Sequence, residues 1–471
     1  MKNPSNTQAE IKSAVLVGVQ LPKTDPDEFF QSLAELERLV TTLGYKVVGQ
    51  VIQKRSSDRS ATLLGGGKLK ELAGWTNGSG EIGSMVERKL NKATVKRLAE
   101  EQDLEITEEV PEPESENTEQ TTLEKIQIGS AQIVIVDTDL SPSQIRNLES
   151  ASGVTVLDRT GVIIEIFSRH ARTKTARLQV EIARLTYVAP RLRETGGGED
   201  RQGGGVGGKG AGESSLELDR RKIRDRIKEL KMELANIGNE HAVRRARRDQ
   251  EISVALVGYT NAGKSSLMRA LTGSEVLVAD KLFATLDTTI RPMDPESIPK
   301  VLISDTVGFI KKLPHDLVAS FKSTLDEALN SSLLLFVVDS SDPSFRSQLE
   351  VTKTVLGEVG AQDIPSLLVL NKRDRLTAEQ AENLRAEFPE AIFLSTRDPA
   401  DVKALRSKIL SYFETDMVDE DLFIPFSNKG AVGEVRLSMR VLDEAYNANG
   451  VTFKVRTSKD LIDRVRKKFS L

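Results

Sequence analysis

The chain has 471 residues, 38% of them hydrophobic, and a formal net charge of −4. The absence of cysteine excludes a disulfide framework and thiolate metal sites, and the near-neutral charge excludes any inference about partners from the whole molecule. The length predicts about three domains. The first residues lack a signal-peptide pattern and the longest apolar run, Leu333 to Val338, is too short to span a bilayer, so we expect a cytoplasmic protein without a membrane span.

Strand and helix signals alternate in the first third of the chain and predict an N-terminal α/β domain, residues 1–170. The apolar runs that indicate strands cover 14–19, 46–52 and 132–136. Asp25 and Ser141 are each followed by proline, a pattern typical of helix N-termini.

This domain contains a segment of different composition. Between Glu100 and Glu124 there is no lysine or arginine, so we interpret residues from about 74 to 128 as a solvated insertion, with a functional acidic arm as the alternative. The run from Gly65 to Lys68 predicts either a plain strand-to-helix turn, which we favour, or a phosphate site.

Two amphipathic patterns follow and predict an antiparallel helical hairpin over residues 171–250. Thr175 to Arg193 and Leu216 to Gln250 carry apolar residues at spacings of three and four. The joining loop, residues 196–212, is glycine-rich, which is compatible with a flexible linker or, as we favour, with close contact to an RNA backbone. The candidate RNA contacts are Arg201, Gln202, Gly203, Gly204, Gly205, Lys209, Arg220 and Arg221.

A phosphate-binding loop follows the apolar run Ile252 to Val257. Its pattern is GxxxxGKS, and the nucleotide-binding residues it predicts are Gly258, Tyr259, Thr260, Asn261, Ala262, Gly263, Lys264, Ser265 and Ser266. Backbone N–H groups of such a loop and the N-terminus of the next helix attract phosphate. Lys264 would reach the β- and γ-phosphates, and Ser265 would hold Mg²⁺.

A second motif ends the predicted strand that begins at Val301. The sequence Asp305-Thr306-Val307-Gly308 is a DxxG motif, in which Asp305 suits the Mg²⁺ shell and the N–H of Gly308 suits a γ-phosphate. Between the two motifs lies the polar segment Thr285-Leu286-Asp287-Thr288-Thr289, which could close over the γ-phosphate.

A third motif indicates the base. Asn371, Lys372 and Asp374 form NKxD after a buried strand, and Ser395 and Thr396 end a further strand. The carboxylate of Asp374 only accepts hydrogen bonds, so it suits the N1–H and 2-amino donors of guanine. Adenine offers neither donor. Since open α/β sheets bind ligands at the carboxyl ends of their strands, these motifs together predict a GTP site within a domain of residues 251–415.

Two residues leave alternatives open. Phe309 follows the DxxG motif where many GTPases carry a water-orienting glutamine, so another group or a partner positions the water, or hydrolysis is slow until docking. Asn261 suggests either a bound monovalent cation or a side chain that stabilises the loop.

The last part of the chain, residues 416–471, predicts a small α/β domain. An acidic stretch from Asp416 to Asp421 leads into it. The predicted strands cover 423–426 and 451–455, and the predicted helices cover 432–445 and 459–469.

Several stretches resemble the HflX family of ribosome-associated GTPases over nearly the whole chain. They are Leu140-Ser141-Pro142-Ser143-Gln144, Asp158-Arg159-Thr160-Gly161, Gln179-Val180-Glu181 through Pro190-Arg191-Leu192, Arg201-Gln202-Gly203-Gly204-Gly205, and Asp305-Thr306-Val307-Gly308-Phe309-Ile310. The resemblance implies a large ribosomal subunit partner with its rRNA, the splitting of stalled ribosomes, and a glycine loop that reaches toward the peptidyl-transferase region. It also implies that Thr289 is the switch threonine on Mg²⁺ and that Asn261 takes part in activation by K⁺.

Residues and resemblance together predict a multidomain α/β protein. It has an N-terminal α/β domain with a long antiparallel hairpin, a P-loop GTPase domain with a mostly parallel sheet, and a small C-terminal α/β domain. We predict a monomeric, ribosome-associated GTP hydrolase that binds GTP and GDP. Its catalytic residues would be Lys264, Thr289 and Gly308, and its metal ligands Ser265, Thr289 and Asp305. The alternatives are a GTP-dependent switch for a protein partner without RNA contact, and ATP-driven RNA remodelling by the N-terminal domain.

Overall fold

The computed structural model describes residues 12–82, 131–192, 215–246, 252–274, 282–283, 289–295, 297–298, 300–312, 327–415 and 417–470. The chain divides into two compact units, residues 1–163 and 164–471. The glycine-rich loop 196–212, Thr285 to Thr288 and most of the predicted insertion lie outside the described residues. Among the helices within these ranges, none has both the length and the apolar character that crossing a bilayer requires.

Four parallel strands form the sheet of the first unit, in the order β2-β1-β3-β4. The strands are β1 Ser13–Gln20, β2 Lys46–Lys54, β3 Ile133–Val136 and β4 Thr155–Asp158. The helices between them are α1 Pro26–Thr42, α2 Gly66–Thr76 and α3 Pro142–Ser152. The whole of β3 and the middle of β1 are buried, as expected for parallel strands covered on both faces.

Local capping sets the limits of these helices as the sequence predicts. The carboxylate of Asp25 accepts from Glu28 N at 3.3 Å at the start of α1. Ser141 and Gln144 form a reciprocal capping box at the start of α3, and Gly153 ends that helix at φ +71°.

The predicted insertion begins too early. Its first residues, 74–76, belong to α2. The reason is apolar packing, because the ring of Trp75 lies against Gly49 of β2, where an added Cβ would approach the ring to 2.8 Å.

The predicted hairpin is present in the second unit. After α4 (Arg159–His170), helices α5 (Lys174–Val188) and α6 (Ser215–Ala246) pack through an apolar seam of Leu178, Ile182 and Leu230. Lys174 pairs with Glu233 at 2.6 Å and Arg226 pairs with Glu181 at 3.2 Å. As the position on α5 rises, the partner on α6 falls, which makes the helices antiparallel.

A six-stranded sheet in the order β10-β9-β8-β5-β7-β6 forms the core of the second unit. Its strands are β5 Ile252–Val257, β6 Thr289–Pro292, β7 Val301–Asp305, β8 Leu333–Asp339, β9 Ser366–Asn371 and β10 Ile392–Phe393. Its helices are α7 Lys264–Thr272, α8 Phe345–Glu358, α9 Ala378–Glu387 and α10 Pro399–Glu414. All described pairings are parallel except β6 with β7, so the carboxyl ends of five strands face the same edge.

The C-terminal segment forms an antiparallel sheet in the order β11-β13-β12, with helices packed on it. Its elements are β11 Val418–Pro425, α11 Lys429–Ser438, β12 Arg440–Tyr446, β13 Gly450–Thr457 and α12 Lys459–Phe469. The predicted helix over 432–445 is wrong beyond Ser438. Asn447 Oδ1 accepts from the N–H groups of Asn449 and Gly450, which builds a tight turn and turns residues 440–446 into a strand paired with β13. The predicted multidomain α/β fold class is otherwise confirmed.

Candidate nucleotide-binding site

The loop after β5 adopts a backbone that only glycine tolerates at two positions. Gly258 has φ +153° and Gly263 has φ +96°. A Cβ on Gly258 would lie 2.1 Å from the carbonyl oxygen of Val337, and one on Gly263 would lie 2.2 Å from Asn371 Nδ2. The loop is therefore pressed between β8 and the end of β9, and α7 starts directly after it at Lys264.

Lys264 is folded back onto its own loop. Its Nζ donates to the carbonyl oxygens of Gly258 at 3.0 Å and Tyr259 at 2.8 Å. Burial lowers the pKa of Lys264 to about 8, and the negative charge of Asp305 partly opposes that shift. In this position the ammonium group of Lys264 is shielded from water, which destabilises its positive charge. Bound phosphate oxygens would stabilise that charge.

This pKa predicts a pH dependence of nucleotide affinity. Above pH 8 the free protein increasingly holds Lys264 as a neutral amine, whereas bound phosphate requires the ammonium, so binding takes up a proton. We expect the affinity for GDP to fall as pH rises above 8, at a limiting slope of about tenfold per pH unit. Calorimetry at pH 8.5 in buffers of different ionisation enthalpy measures the proton uptake.

The matched control is Lys264→Arg, because a guanidinium stays charged over this range. The variant should show no proton uptake at this pH, and the titration stays below the pH at which the guanine N1–H ionises. An equal uptake by parent and variant would assign the proton to another group.

Oxygen ligands suited to a divalent cation meet at the ends of α7 and β7. Ser265 Oγ donates to Asp305 Oδ2 at 2.7 Å, and Asp305 is buried. Thr289 is the register partner of Asp305 in the β6–β7 pair, so the two side chains lie on the same face of the sheet, with Cβ atoms about 5 Å apart. Hydroxyl and carboxylate oxygens are the donors that Mg²⁺ prefers.

The DxxG segment runs beside the phosphate loop. Thr306 Oγ1 donates to Leu256 O at 2.7 Å, which holds the segment against β5. A Cβ on Gly308 would lie 2.8 Å from Thr260 Cγ2 and 3.0 Å from Lys264 Nζ, so its backbone is next to the lysine. The Thr260 hydroxyl is buried and makes no hydrogen bond within the described part of the chain.

The NKxD motif is bonded to the phosphate loop as well. Asn371 is buried and its Nδ2 donates to Ala262 O at 2.9 Å, while Lys372 Nζ donates to Asn261 O at 2.8 Å. Asn371 Oδ1 accepts from Thr396 N at 3.4 Å. The two ends of the predicted nucleotide site are therefore joined by direct contacts.

Asp374 presents an ionised, accessible carboxylate, which is the acceptor that guanine requires. Ser395 Oγ donates to its Oδ1 at 2.7 Å, and Arg397 Nη1 lies 3.7 Å from its Oδ2. The hydrogen bond from Ser395, with help from Arg397, lowers the pKa of Asp374 below its usual value. The carboxylate is 35% exposed and lines an open cavity of about 500 Å³, so it is charged and accessible.

Sequence reasoning missed Asp339, the last residue of β8. Its Oδ2 accepts from Lys372 Nζ at 2.6 Å, and Ser340 Oγ donates to Asn371 O at 2.7 Å. The sequence contained a signal for this residue. Asp339 follows a buried apolar run directly, and the carboxyl end of such a strand lies at the same sheet edge as the recognised motifs.

The candidate RNA contacts divide into two groups. Arg220 and Arg221 are exposed on α6. Arg201, Gln202, Gly203, Gly204, Gly205 and Lys209 lie outside the described residues.

The polar groups described above stand where parallel strands end, at the edge where an open α/β sheet receives a nucleotide. One end offers a glycine loop with a buried lysine, and the other offers an acceptor that matches guanine. The fold and the site define a P-loop GTPase, a protein that binds GTP and GDP and hydrolyses GTP.

Comparisons with known proteins agree with this class. Family models match residues 30–110 and 116–168 ("GTP-binding GTPase N-terminal"), 170–248 ("GTP-binding GTPase Middle Region") and 253–372 ("50S ribosome-binding GTPase"). The chain is 54% identical over 461 residues to GTPase HflX of Gluconacetobacter diazotrophicus, covering 98% of both chains. It is 40% identical over 306 residues to GTPase HflX of Escherichia coli, covering 64% of this chain and 72% of that one. The chain belongs to the HflX family of GTPases.

Among solved structures, one similar chain is a GTP-binding protein from the archaeon Sulfolobus solfataricus in complex with GDP. It is 23% identical with a TM-score of 0.40, and the match covers 85% of this chain and 98% of that one.

Proposed function

We propose that this GTPase binds the large ribosomal subunit in its GTP state and splits stalled or idle ribosomes, with hydrolysis releasing it. Membership of the HflX family and the match of residues 253–372 to a 50S ribosome-binding GTPase model support a ribosomal partner. The protein would act in the cytoplasm as a monomer, associated with ribosomes.

The observation that carries the proposal is a basic stripe on α6. Arg220, Arg224, Lys228 and Lys231 are exposed and spaced by four, four and three residues, so they share one face of the helix. This face lies beside the apolar seam to α5, and in the sequence α6 follows the glycine-rich segment 196–212. Regularly spaced cations on a long helix fit the phosphates of rRNA, which dominate the affinity of nucleic-acid contacts.

At the nucleotide, we propose the following roles. Lys264 turns from its loop carbonyls to the β- and γ-phosphates, and the N–H of Gly308 donates to the γ-phosphate. Ser265, Thr289 and Asp305 would hold Mg²⁺, which when bound neutralises negative charge on the phosphates. Asn371, Asp374, Ser395 and Thr396 select guanine. Asn261 is our candidate for activation by K⁺, tested by comparing hydrolysis in potassium and sodium buffers.

Coupling between nucleotide and ribosome would arise at Thr289. In the present structure it is paired with Asp305 as the first residue of β6, directly after the polar segment 285–288. A γ-phosphate would favour one arrangement of Thr289 and Gly308, and a partner that prefers this arrangement then binds more tightly to the GTP state.

We therefore expect the protein to sediment with large ribosomal subunits in the presence of a non-hydrolysable GTP analogue and much less with GDP. Ribosomes should also accelerate its GTP turnover, since Phe309 cannot orient water as a glutamine does. The measurement is pelleting through a sucrose cushion, with the fraction of intact ribosomes followed by light scattering.

The hairpin variant Arg220→Ala/Arg224→Ala, with both changes in the basic stripe, tests the RNA contact. Its matched control, Lys403→Ala/Lys408→Ala, removes the same charge from exposed positions of α10. Only the hairpin variant should lose ribosome binding and show a weaker salt dependence. Unchanged pelleting by the hairpin variant, or equal GTP turnover with and without ribosomes, would favour a switch that acts on a protein partner.

A further inference from the structure

The residues after the DxxG motif are fastened to the phosphate loop by three hydrogen bonds. Thr260 N donates to Phe309 O at 2.8 Å, and Phe309 N donates to Gly258 O at 3.1 Å, which forms an isolated parallel bridge between Tyr259 and Phe309. Lys311 N donates to the hydroxyl oxygen of Tyr259 at 2.6 Å. We call this contact, residues 258–260 with 309–311, the clasp.

The clasp is built from main-chain groups except for one side chain. The rings of Tyr259 and Phe309 are both buried, and the Tyr259 hydroxyl is the single side-chain group in the three hydrogen bonds. The position that carries glutamine in other GTPases therefore serves here as a main-chain anchor with an apolar ring packed inside. This gives Phe309 a function that does not involve water.

The hydrogen bonds of the clasp do not depend on Lys264, although its side chain donates to carbonyl oxygens of the same residues. Gly258 O accepts from both Lys264 Nζ and Phe309 N, and Tyr259 O accepts from both Lys264 Nζ and Ala262 N, the latter at 3.3 Å. When Lys264 turns to phosphate, each carbonyl oxygen keeps one backbone donor. No buried acceptor is left without a partner, so the clasp can persist in the nucleotide-bound state.

The clasp fixes the backbone of Gly308 relative to Lys264. Gly308 directly precedes the clasp, and its Cα is packed so closely on Thr260 that an added Cβ would lie 2.8 Å from Thr260 Cγ2. The amide of Gly308 is therefore held in a fixed position relative to the phosphate loop, from whose end the Lys264 side chain extends.

We propose that Tyr259 is a positioning residue for GTP hydrolysis: its hydroxyl holds the Lys311 amide and so keeps the Gly308 amide in place for the γ-phosphate. GDP lacks that phosphate and gains nothing from this placement. The proposal rests on the phosphate roles given to Lys264 and Gly308, and it is independent of the ribosome, so its test uses the purified full chain alone.

The test is Tyr259→Phe, which keeps the buried ring and removes only the hydroxyl. We expect the affinity for a non-hydrolysable GTP analogue to fall about fivefold, the usual effect of one lost buried hydrogen bond, and kcat to fall as well, while the affinity for GDP changes less than about twofold. A purely structural role would weaken GDP and the analogue equally. An equal loss for both nucleotides, or no loss for either, overturns the proposal.

The matched control is Tyr446→Phe, which removes a bonded phenol hydroxyl from the C-terminal sheet, where it contacts Glu444 and Arg436. It should leave both affinities and kcat unchanged. Should Tyr259→Phe melt below the assay temperature, amide exchange at Lys311 in the unmodified chain with the GTP analogue decides: slow exchange supports a persistent clasp, and exchange as fast as in a free peptide overturns it.

Discussion

Replacing Asp374 with alanine is expected to weaken GTP binding at least about 100-fold and to leave the weak binding of ATP almost unchanged. Guanine presents N1–H and 2-amino donors to this carboxylate, and each hydrogen bond to a charged group contributes about 1.5–3 kcal/mol. ATP makes neither bond, so it has nothing to lose. The ratio of GTP to ATP affinity, measured by fluorescence titration with labelled nucleotides, should therefore collapse.

Two further variants distinguish a loss of guanine preference from a general loss of nucleotide binding. Asp398→Asn alters a nearby carboxylate in the same cavity while keeping a side-chain oxygen for the cap of α10, and it should retain guanine preference. Asp374→Asn should bind xanthosine triphosphate better than GTP, because the xanthine C2 oxygen accepts from the amide that replaces the carboxylate. An Asp374→Ala variant that discriminates between GTP and ATP as well as the parent would refute guanine selection by this residue.

That the sequence motifs meet at one edge of the sheet is predictable because the information for each motif is local. A buried apolar run, a glycine loop and a lysine stand next to each other from Ile252 to Lys264, and each later motif follows its own strand. The sheet then brings the motifs together by a rule that applies to any open parallel sheet. Asn371 reaching Ala262 across more than one hundred positions is a consequence of that rule.

The hydrogen-bond partners of individual side chains and amides in the site were not predictable from the sequence. Lys264 bonds to the carbonyls of its own loop, and Lys311 bonds to the hydroxyl of Tyr259. These contacts depend on backbone direction over a few ångströms, for which residue type gives no signal. The C-terminal error has a similar origin, since the turn that starts at Asn447 outweighed the helical spacing over 432–445.

Long-range polar contacts inside the first unit were equally invisible in the sequence. Arg159 appeared only as part of a family motif, yet its side chain is 1% exposed and lies among Asp137, Glu35 and Ser32. Its Nη1 donates to Asp137 Oδ1 at 2.7 Å and to Ser32 O at 3.3 Å, and Nη2 donates to Glu35. The partners are separated from it by 22 to 127 positions, which no spacing rule connects.

Arg159→Met is expected to destabilise the first unit by about 3–5 kcal/mol. Methionine fills the space of the arginine stem but leaves Asp137 and Glu35 without their counter-charge in a buried place, and breaking one side of a buried ion pair is costly for that reason. Since the chain has more than one unit, its unfolding need not be a single transition. The measurement is hydrogen exchange of β1 and β3 peptides against urea concentration, which reports this unit by itself.

The surface pair of Lys68 and Glu71 on α2, in the same unit, supplies the control. Lys68 is 38% exposed and bonds to Glu71 at 2.7 Å about one helical turn away, so Lys68→Met should cost less than about 1 kcal/mol. Adding Asp137→Asn to Arg159→Met should recover part of the loss, because it removes one of the uncompensated charges. If Arg159→Met and Lys68→Met were equally stable, the buried arginine would contribute little to the fold. A large difference that Asp137→Asn reduces would identify charge compensation as the force that holds β3 to α1.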